Sequence, residues 1–386
     1  MLGRTNITAL AEGGIVTEVE DFRWVQMPSG VYGNFVKATC KDGRLVAITA
    51  DGSVVHTADG EVWEASGTGF ADCRLNDIEW DGSRFLIVGS CTEDGKKVGL
   101  ILATDDFSRY ERLDVGNSDD TEQEYDEEYY GIYYVDGRYL MVAMGTGGRS
   151  HPCVYAGDFG EGGMSRRYIS LYYATGSKSC NVKGVSVAKN SSEMLLGVNY
   201  DTGVARKNEV VKVDGNGSAG IKCWDSDGSM HINVFECKDA LYYESLYSSE
   251  SYNLVKVLPS KEEMVMCTGQ NFAFTDGVYF DGSQLFINSH GMLVVRKGEG
   301  IADKTVDDMM EIAPEMTMRC IEKAFGQLYI FGNHGAILRS SVETGNEEAI
   351  AVQAISARKA LADAKAYADG LYQELEARIA ALEAGA

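Results

Sequence analysis

The stretch LNDIEWDGSRFLIVG, residues 75–89, decides the fold. An alternating strand runs into Asp81-Gly82, and a second apolar strand runs out of it. Asp-Gly supplies the positive φ angles that a two-residue hairpin needs. The same unit recurs as FVKATCKDGRLVAI (35–48), YGIYYVDGRYLMVA (130–143), GVSVAKNSSEMLLGV (184–198), NVFECKDALYYESL (233–246), DGVYFDGSQLFINS (276–289) and RCIEKAFGQLYIFG (319–332). The turns of these six copies fall near Asp42, Asp136, Asn190, Asp239, Asp281 and Phe325. A multi-strand repeat with a period of roughly 40–50 residues is the signature of a β-propeller.

After the hairpin most copies run on to a third apolar strand, as in GSVVHTA, VGLILATD, HPCVYAGD, NEVVKVDG, GMLVVRKG and GAILRSS. A fourth, more polar strand sometimes follows, as in EVWEASG and YERLDVG. One such sheet cannot bury its own faces, so neighbours must stack around an axis. The reading is an all-β, seven-bladed propeller; one misread unit would make it six or eight. The last copy lacks an obvious fourth strand, and FRWVQMP (22–28) is an orphan that could complete it and close the ring. Closure removes the exposed edge that invites aggregation. The domain plan is therefore an extension over 1–21, a propeller over 22–345 and a helical tail over 346–386.

Bulk properties narrow the partners. A formal net charge of −23 disfavours non-specific binding to nucleic acid or anionic membranes. No run approaches 18 consecutive apolar residues, so no membrane-inserted helix is expected. The opening MLGRTNITALAEGG lacks a signal-peptide pattern. The nine cysteines include no C-x-x-C pair, which argues against a structural zinc site. They read as small buried hydrophobes of a chain made in a reducing cytosol. Many hairpins and few rigid loops fit 44 glycines against 4 prolines.

From about residue 349 the composition turns rich in Ala, Glu, Lys and Leu. Leu361, Ala364, Ala368, Leu371, Leu375, Ile379 and Leu382 form a narrow apolar seam of coiled-coil type, interrupted by Gly370. Self-association, packing back on the propeller and a single free helix are all compatible with such a seam.

Two stretches carry a resemblance. HTADGEVW (56–63) resembles the S-x-D-x-G-x-x-W box of Asp-box (BNR-like) propellers, one residue short, through Thr57, Asp59, Gly60 and Trp63. ATDDFSRY (103–110) is a fainter echo, through Thr104, Asp106 and Tyr110. The repeat region also resembles photosystem-assembly-factor-like propellers. In the Asp-box family the box is a structural hairpin, so the resemblance implies scaffold rather than catalysis. ALADAKAYADGLYQELEARIAALE (360–383) resembles the C-terminal helices of phage tail and tail-fibre proteins. Together these imply a non-catalytic virion component of a phage tail or tail-like particle. Such a component is made in the bacterial cytoplasm, contacts other tail proteins, and binds a host surface glycan or protein. The resemblance also implies a homo-oligomer, with a trimer the usual state of such appendages. A glycan-active hydrolase and an assembly factor that holds a partner protein are the alternatives.

Candidate site residues follow from residue type. Tyrosine suits glycan or protein contact, because it offers apolar area with a polar tip. Tyr125, Tyr129, Tyr130, Tyr168, Tyr172 and Tyr173 sit near the longer inter-blade segments and are the expected binders. A sialidase-like enzyme would need converging arginines; Arg23, Arg74, Arg149 and Arg319 are the candidates. The acidic run at 119–128 offers Asp119, Asp120, Glu122, Glu124, Asp126, Glu127 and Glu128 as Ca²⁺ ligands, or simply as a solvated loop. No catalytic residue, other metal site or other cofactor is expected. DSDGS (225–229) reads as a turn, and the paired His290-Gly291 and His334-Gly335 read as a repeated turn.

Overall fold

The computed structural model describes residues 22–342 apart from a set of connecting segments, of which 116–126, 169–180 and 297–315 are the longest. Among these residues the chain is an all-β propeller. Its seven antiparallel sheets, numbered here in chain order, cover 35–67, 74–112, 127–168, 181–227, 233–270, 274–296 and 318–342. The sixth has three strands among the described residues, and the others have four.

The first strand of each sheet lies innermost. These inner strands are Phe35–Lys41, Arg74–Trp80, Glu127–Val135, Asn181–Asn190, Asn233–Phe235, Phe274–Phe280 and Met318–Ala324. Each touches the next, and Met318–Ala324 touches Phe35–Lys41, so the succession of contacts closes on itself. The seventh sheet takes its outer strand from the other end of the chain. Phe22–Met27 pairs antiparallel with Ile337–Val342, from Phe22 opposite Val342 to Met27 opposite Ile337. Trp24 and Val25 are buried there, so apolar burial as well as the ladder holds the two ends together.

The cores lie between sheets. Val46, Ile48 and Val54 of the first pack with Ile78, Phe85 and Ile87 of the second. Leu86 and Val88 of the second pack with Ile132, Met141 and Cys153 of the third. Met27, Phe331 and Tyr329 of the seventh close on Phe35, Leu45 and Val55 of the first. Alternation along each strand divides its apolar residues between the two neighbouring cores.

Two-residue hairpins with both residues at positive φ form at Asp42-Gly43, Asp136-Gly137 and Phe325-Gly326, as the repeat predicts. Asp81-Gly82 departs from that expectation. Asp81 has no positive φ, and its carboxylate instead accepts the Ser83 and Arg84 backbone N–H groups at 2.8 and 2.9 Å. A longer turn results, built on a side chain rather than on backbone twist. DSDGS is also corrected: Asp225 and Asp227 belong to the strand Ala219–Asp227. The tail 343–386, with the seam from Leu361 to Leu382, and the extension 1–21 lie outside the described residues.

Candidate binding face and its axial supports

Among the described residues all but one of the inner strands carry a β-bulge within their first few residues. It falls between Phe35 and Lys37, Leu75 and Asp77, Tyr129 and Gly131, Val182 and Gly184, Phe274 and Asp276, and Met318 and Cys320. A bulge leaves one residue unpaired and re-aims its side chain. In the second and sixth sheets that residue ties one sheet to the next. Asn76 donates to the Tyr129 carbonyl at 2.8 Å, and Thr275 donates to the Met318 carbonyl at 3.3 Å. In the fifth sheet Asn233 does the same to Phe274 at 3.0 Å. The residue after the bulge adds a second tie. Asp77 accepts the Ile132 N–H at 2.9 Å, and Asp276 accepts the Ile321 N–H at 3.0 Å.

These ties show that the inner strands run the same way, so their starts share one face, the leading face. That face gathers a polar cluster between the second and third sheets. Glu128 is 2% exposed and lies at its centre. Its Oε2 accepts from Lys97 Nζ at 2.6 Å and from the Tyr130 hydroxyl at 3.0 Å. Its Oε1 accepts from Asn76 Nδ2 at 3.0 Å, with Arg74 Nε 3.6 Å away. Burial opposes the carboxylate's charge, but Lys97, Asn76 and Arg74 more than offset it and hold its pKa below the usual glutamate range. Burial, and then the adjacent Glu128 charge, push the Tyr130 phenol well up. Arg74 and Lys97 keep much of their surface in solvent. The cluster is thus a buried acid that anchors an exposed arginine, a half-buried lysine and a tyrosine. On the same face Tyr32, in the loop before Phe35, is 68% exposed.

Tyr129 is core rather than surface: its ring packs edge-on to Tyr155 at 6.0 Å, and a side chain at Gly99 would collide with it. Tyr130 lies in the leading-face cluster. Tyr168 ends the outer strand Met164–Tyr168, while Tyr125, Tyr172 and Tyr173 lie outside the described residues. Glu128 is not part of a solvated acidic loop, and its oxygens are already used; 119–126 lie outside the described residues. Arg23 and Arg319 sit on the outer and inner strands of one four-stranded sheet, and Arg74 on the inner strand of another. Among the described residues no group of three or more His, Cys, Asp or Glu is arranged to hold a metal ion.

The HTADGEVW segment forms a compact turn. Thr57 Oγ1 accepts the Gly60 N–H at 2.9 Å, and Asp59 Oδ1 accepts those of Glu61 and Val62 at 2.8 and 3.0 Å. Gly60 has φ +78°, and a side chain there would collide with the Tyr329 hydroxyl. Trp63 packs on Phe331 and Tyr329, 6.0 and 6.1 Å between centroids. ATDDFSRY repeats the arrangement one sheet on: Thr104 caps the Phe107 N–H at 2.9 Å, and Asp106 caps that of Ser108 at 2.9 Å. Phe107 takes the glycine's place at φ 61° and stacks on His56 at 4.3 Å. Burial is the main cause that lowers the His56 pKa, and Glu64 only partly opposes it. Both turns therefore bind neighbouring sheets together rather than offering free functional groups.

Sequence reasoning missed the cluster around Glu128 and the bulge ties. A signal was present: LNDI and FTDG place a polar pair at the same point of two copies, directly after a buried apolar residue.

No protein-family model matches the chain, and no curated protein matches it. Solved propellers do match its shape. YCF48 bound to D1 peptide aligns at 13% identity and TM-score 0.53, over 83% of this chain and 97% of that one. A catalytically inactive virginiamycin B lyase from Staphylococcus aureus with quinupristin aligns at 10% identity and TM-score 0.55, over 83% and 100%. The Swd1 β-propeller domain of Myceliophteria thermophila aligns at 12% identity and TM-score 0.51, over 83% and 100%. At these identities the likeness concerns the fold alone.

Proposed function

We propose that this chain is a non-catalytic binding component of a phage tail or tail-like particle. In this reading a seven-bladed propeller presents its leading face to a host-surface glycan or protein. The helical tail, through its Leu361–Leu382 seam, multimerises it as a trimer, so that weak single contacts add up to firm attachment. The observation that carries the binding reading is the state of the leading-face groups. Glu128 is spoken for by Lys97, Asn76, Arg74 and Tyr130, and Tyr130 is held far from ionisation. An acid–base enzyme needs a group poised near the working pH; this cluster instead sets two cations and an aromatic rigidly at a surface, which suits recognition. The phage assignment rests on the resemblance of the tail sequence.

The second reading is an assembly factor that holds a partner chain. It is favoured by the likeness to a propeller that holds a peptide, YCF48 with D1 peptide. The deciding experiment is density-gradient separation of lysate from the producing culture, with every fraction probed for this chain. Co-migration with intact particles is expected. Recovery only at the top of the gradient would overturn the virion assignment and leave the assembly factor ahead.

A further inference from the structure

Cys73 ends the lead-in to the second sheet, and Cys91 lies in that sheet's second strand, Phe85–Glu93. Their relationship follows from the ladder. Leu75 is opposite Gly89 and Arg74 opposite Ser90; one further step sets Cys73 opposite Cys91. Directly opposite residues of an antiparallel pair share a face, with Cβ atoms about 4.5–5.5 Å apart. A disulfide needs Cβ atoms about 3.5–4.5 Å apart and Cα atoms about 4.4–6.8 Å apart. The difference is small, and Cys73 lies just outside the paired strand, where the backbone has room to close it.

The surroundings agree. Cys91 is buried in the core between the first and second sheets, and Cys73 packs against the same core. Both are free thiols. The ring of neighbours offers little competition: Cys73 Sγ lies 3.9 Å from the Thr68 hydroxyl, and Cys91 Sγ 3.6 Å from Glu93 Oε1.

We infer that Cys73 and Cys91 are a built-in disulfide pair, reduced in a reducing cytosol and joined when the protein meets a disulfide-type oxidant. In the step, each thiol gives up its hydrogen as a proton and one S–S bond forms. The two electrons reduce the oxidant disulfide to two thiols. The closed bond staples the lead-in at 72–73 to the second strand, directly beside Arg74 and its contact with Glu128. It would thereby stiffen the leading face. Burial is the main cause that raises both thiols above the ordinary cysteine range, and the Cys73 charge adds to the rise at Cys91. Exchange in the folded state is accordingly slow, because the thiolate is the reactive form.

The test is peptide mapping of the full, folded chain after exposure to glutathione disulfide, with free thiols alkylated before digestion. Trypsin cuts after Arg44, Arg74, Arg84 and Lys96, so the two cysteines fall on separate peptides, 45–74 and 85–96, each with a single cysteine. The expected result is those two peptides joined, lighter than their sum by two hydrogens and separated by dithiothreitol. The joined species is absent from Cys91→Ser. Recovery of both peptides alkylated, glutathionylated singly, or joined to other cysteines would overturn the inference. The readout on the native chain stands whether or not the variant folds.

Discussion

The Lys189 ammonium, on the inner strand of the fourth sheet, lies 3.0 Å from Asp77 Oδ2 on the inner strand of the second. It reaches past the third sheet, whose inner strand carries Gly131 at the position equivalent to Asp77. The same ammonium is 3.0 Å from Glu79 and donates to the Ile78 carbonyl at 3.1 Å. Asp77 meanwhile accepts the Ile132 N–H. Three sheets are thus fastened at the axis through one largely buried lysine.

Lys189→Met should destabilise the fold by roughly 3–5 kcal/mol, because it leaves two buried carboxylates without their cation. Chemical denaturation is the check, and a loss within about 0.5 kcal/mol, the range of ordinary surface substitutions, would contradict the axial role. The pH dependence has a definite sign. Burial opposes the ammonium, but Asp77 and Glu79 more than offset it and raise its pKa above the ordinary lysine value. Its contribution is therefore complete below that ordinary value and is lost as pH rises through the folded-state pKa. Alkaline melting curves of the wild type should fall more steeply than those of Lys189→Met.

Glu128 titrates in the other direction. Its folded pKa is depressed, so its contribution is present above the ordinary glutamate range and fades as pH falls through the folded value. Lys97→Met should cost more than Glu128→Gln, although both remove the same ion pair. The first strands a buried acid, while the second leaves cations that water can solvate. We expect about 2–3 kcal/mol against about 1 kcal/mol. Equal losses in denaturant titrations would refute this account of the cluster.

Gly60 and Tyr329 make a two-residue test of how the seventh sheet meets the first. Gly60→Ala should cost roughly 2–3 kcal/mol, from the collision with the tyrosine hydroxyl plus the positive φ. Tyr329→Phe removes the colliding oxygen. In the double variant the loss should shrink toward the backbone share, about 1 kcal/mol. A double-mutant cycle with no coupling would place the cost elsewhere.

Phe325 holds φ 51° in a hairpin where the equivalent positions of the first and third sheets have Asp42 and Asp136. It is 39% exposed, so little burial offsets the backbone cost of a bulky residue there. Phe325→Asn should raise stability by roughly 0.5–1 kcal/mol. A fall in Tm would mean that its edge contact with Tyr329, at 6.4 Å, outweighs the strain.

Removal of residues 1–28 should leave the edge of Ile337–Val342 unpaired and expose the core that Trp24 and Val25 cover. We expect aggregation on size-exclusion chromatography and loss of a cooperative melt. A monomeric, cooperatively melting product would show that the ring does not need its terminal strand.

The sequence by itself determined the repeating unit, and with it the propeller. Alternating apolar residues and Asp-Gly turns are local signals, because strand period and hairpin geometry depend only on neighbours in the chain. HTADGEVW was legible for the same reason: its hydrogen bonds join residues two or three apart. Only the tertiary structure decided which polar residues matter. Glu128 stands at the end of an acidic run, yet its partners Arg74, Asn76 and Lys97 come from the neighbouring sheet. Tyr129 sits in a tyrosine-rich stretch that reads as surface, and burial against Tyr155 and Gly99 makes it core. Lys189 finds its acids more than 100 residues away. Charge pairing and burial depend on distances in space, and in a ring of stacked sheets those distances are set by which strands lie side by side.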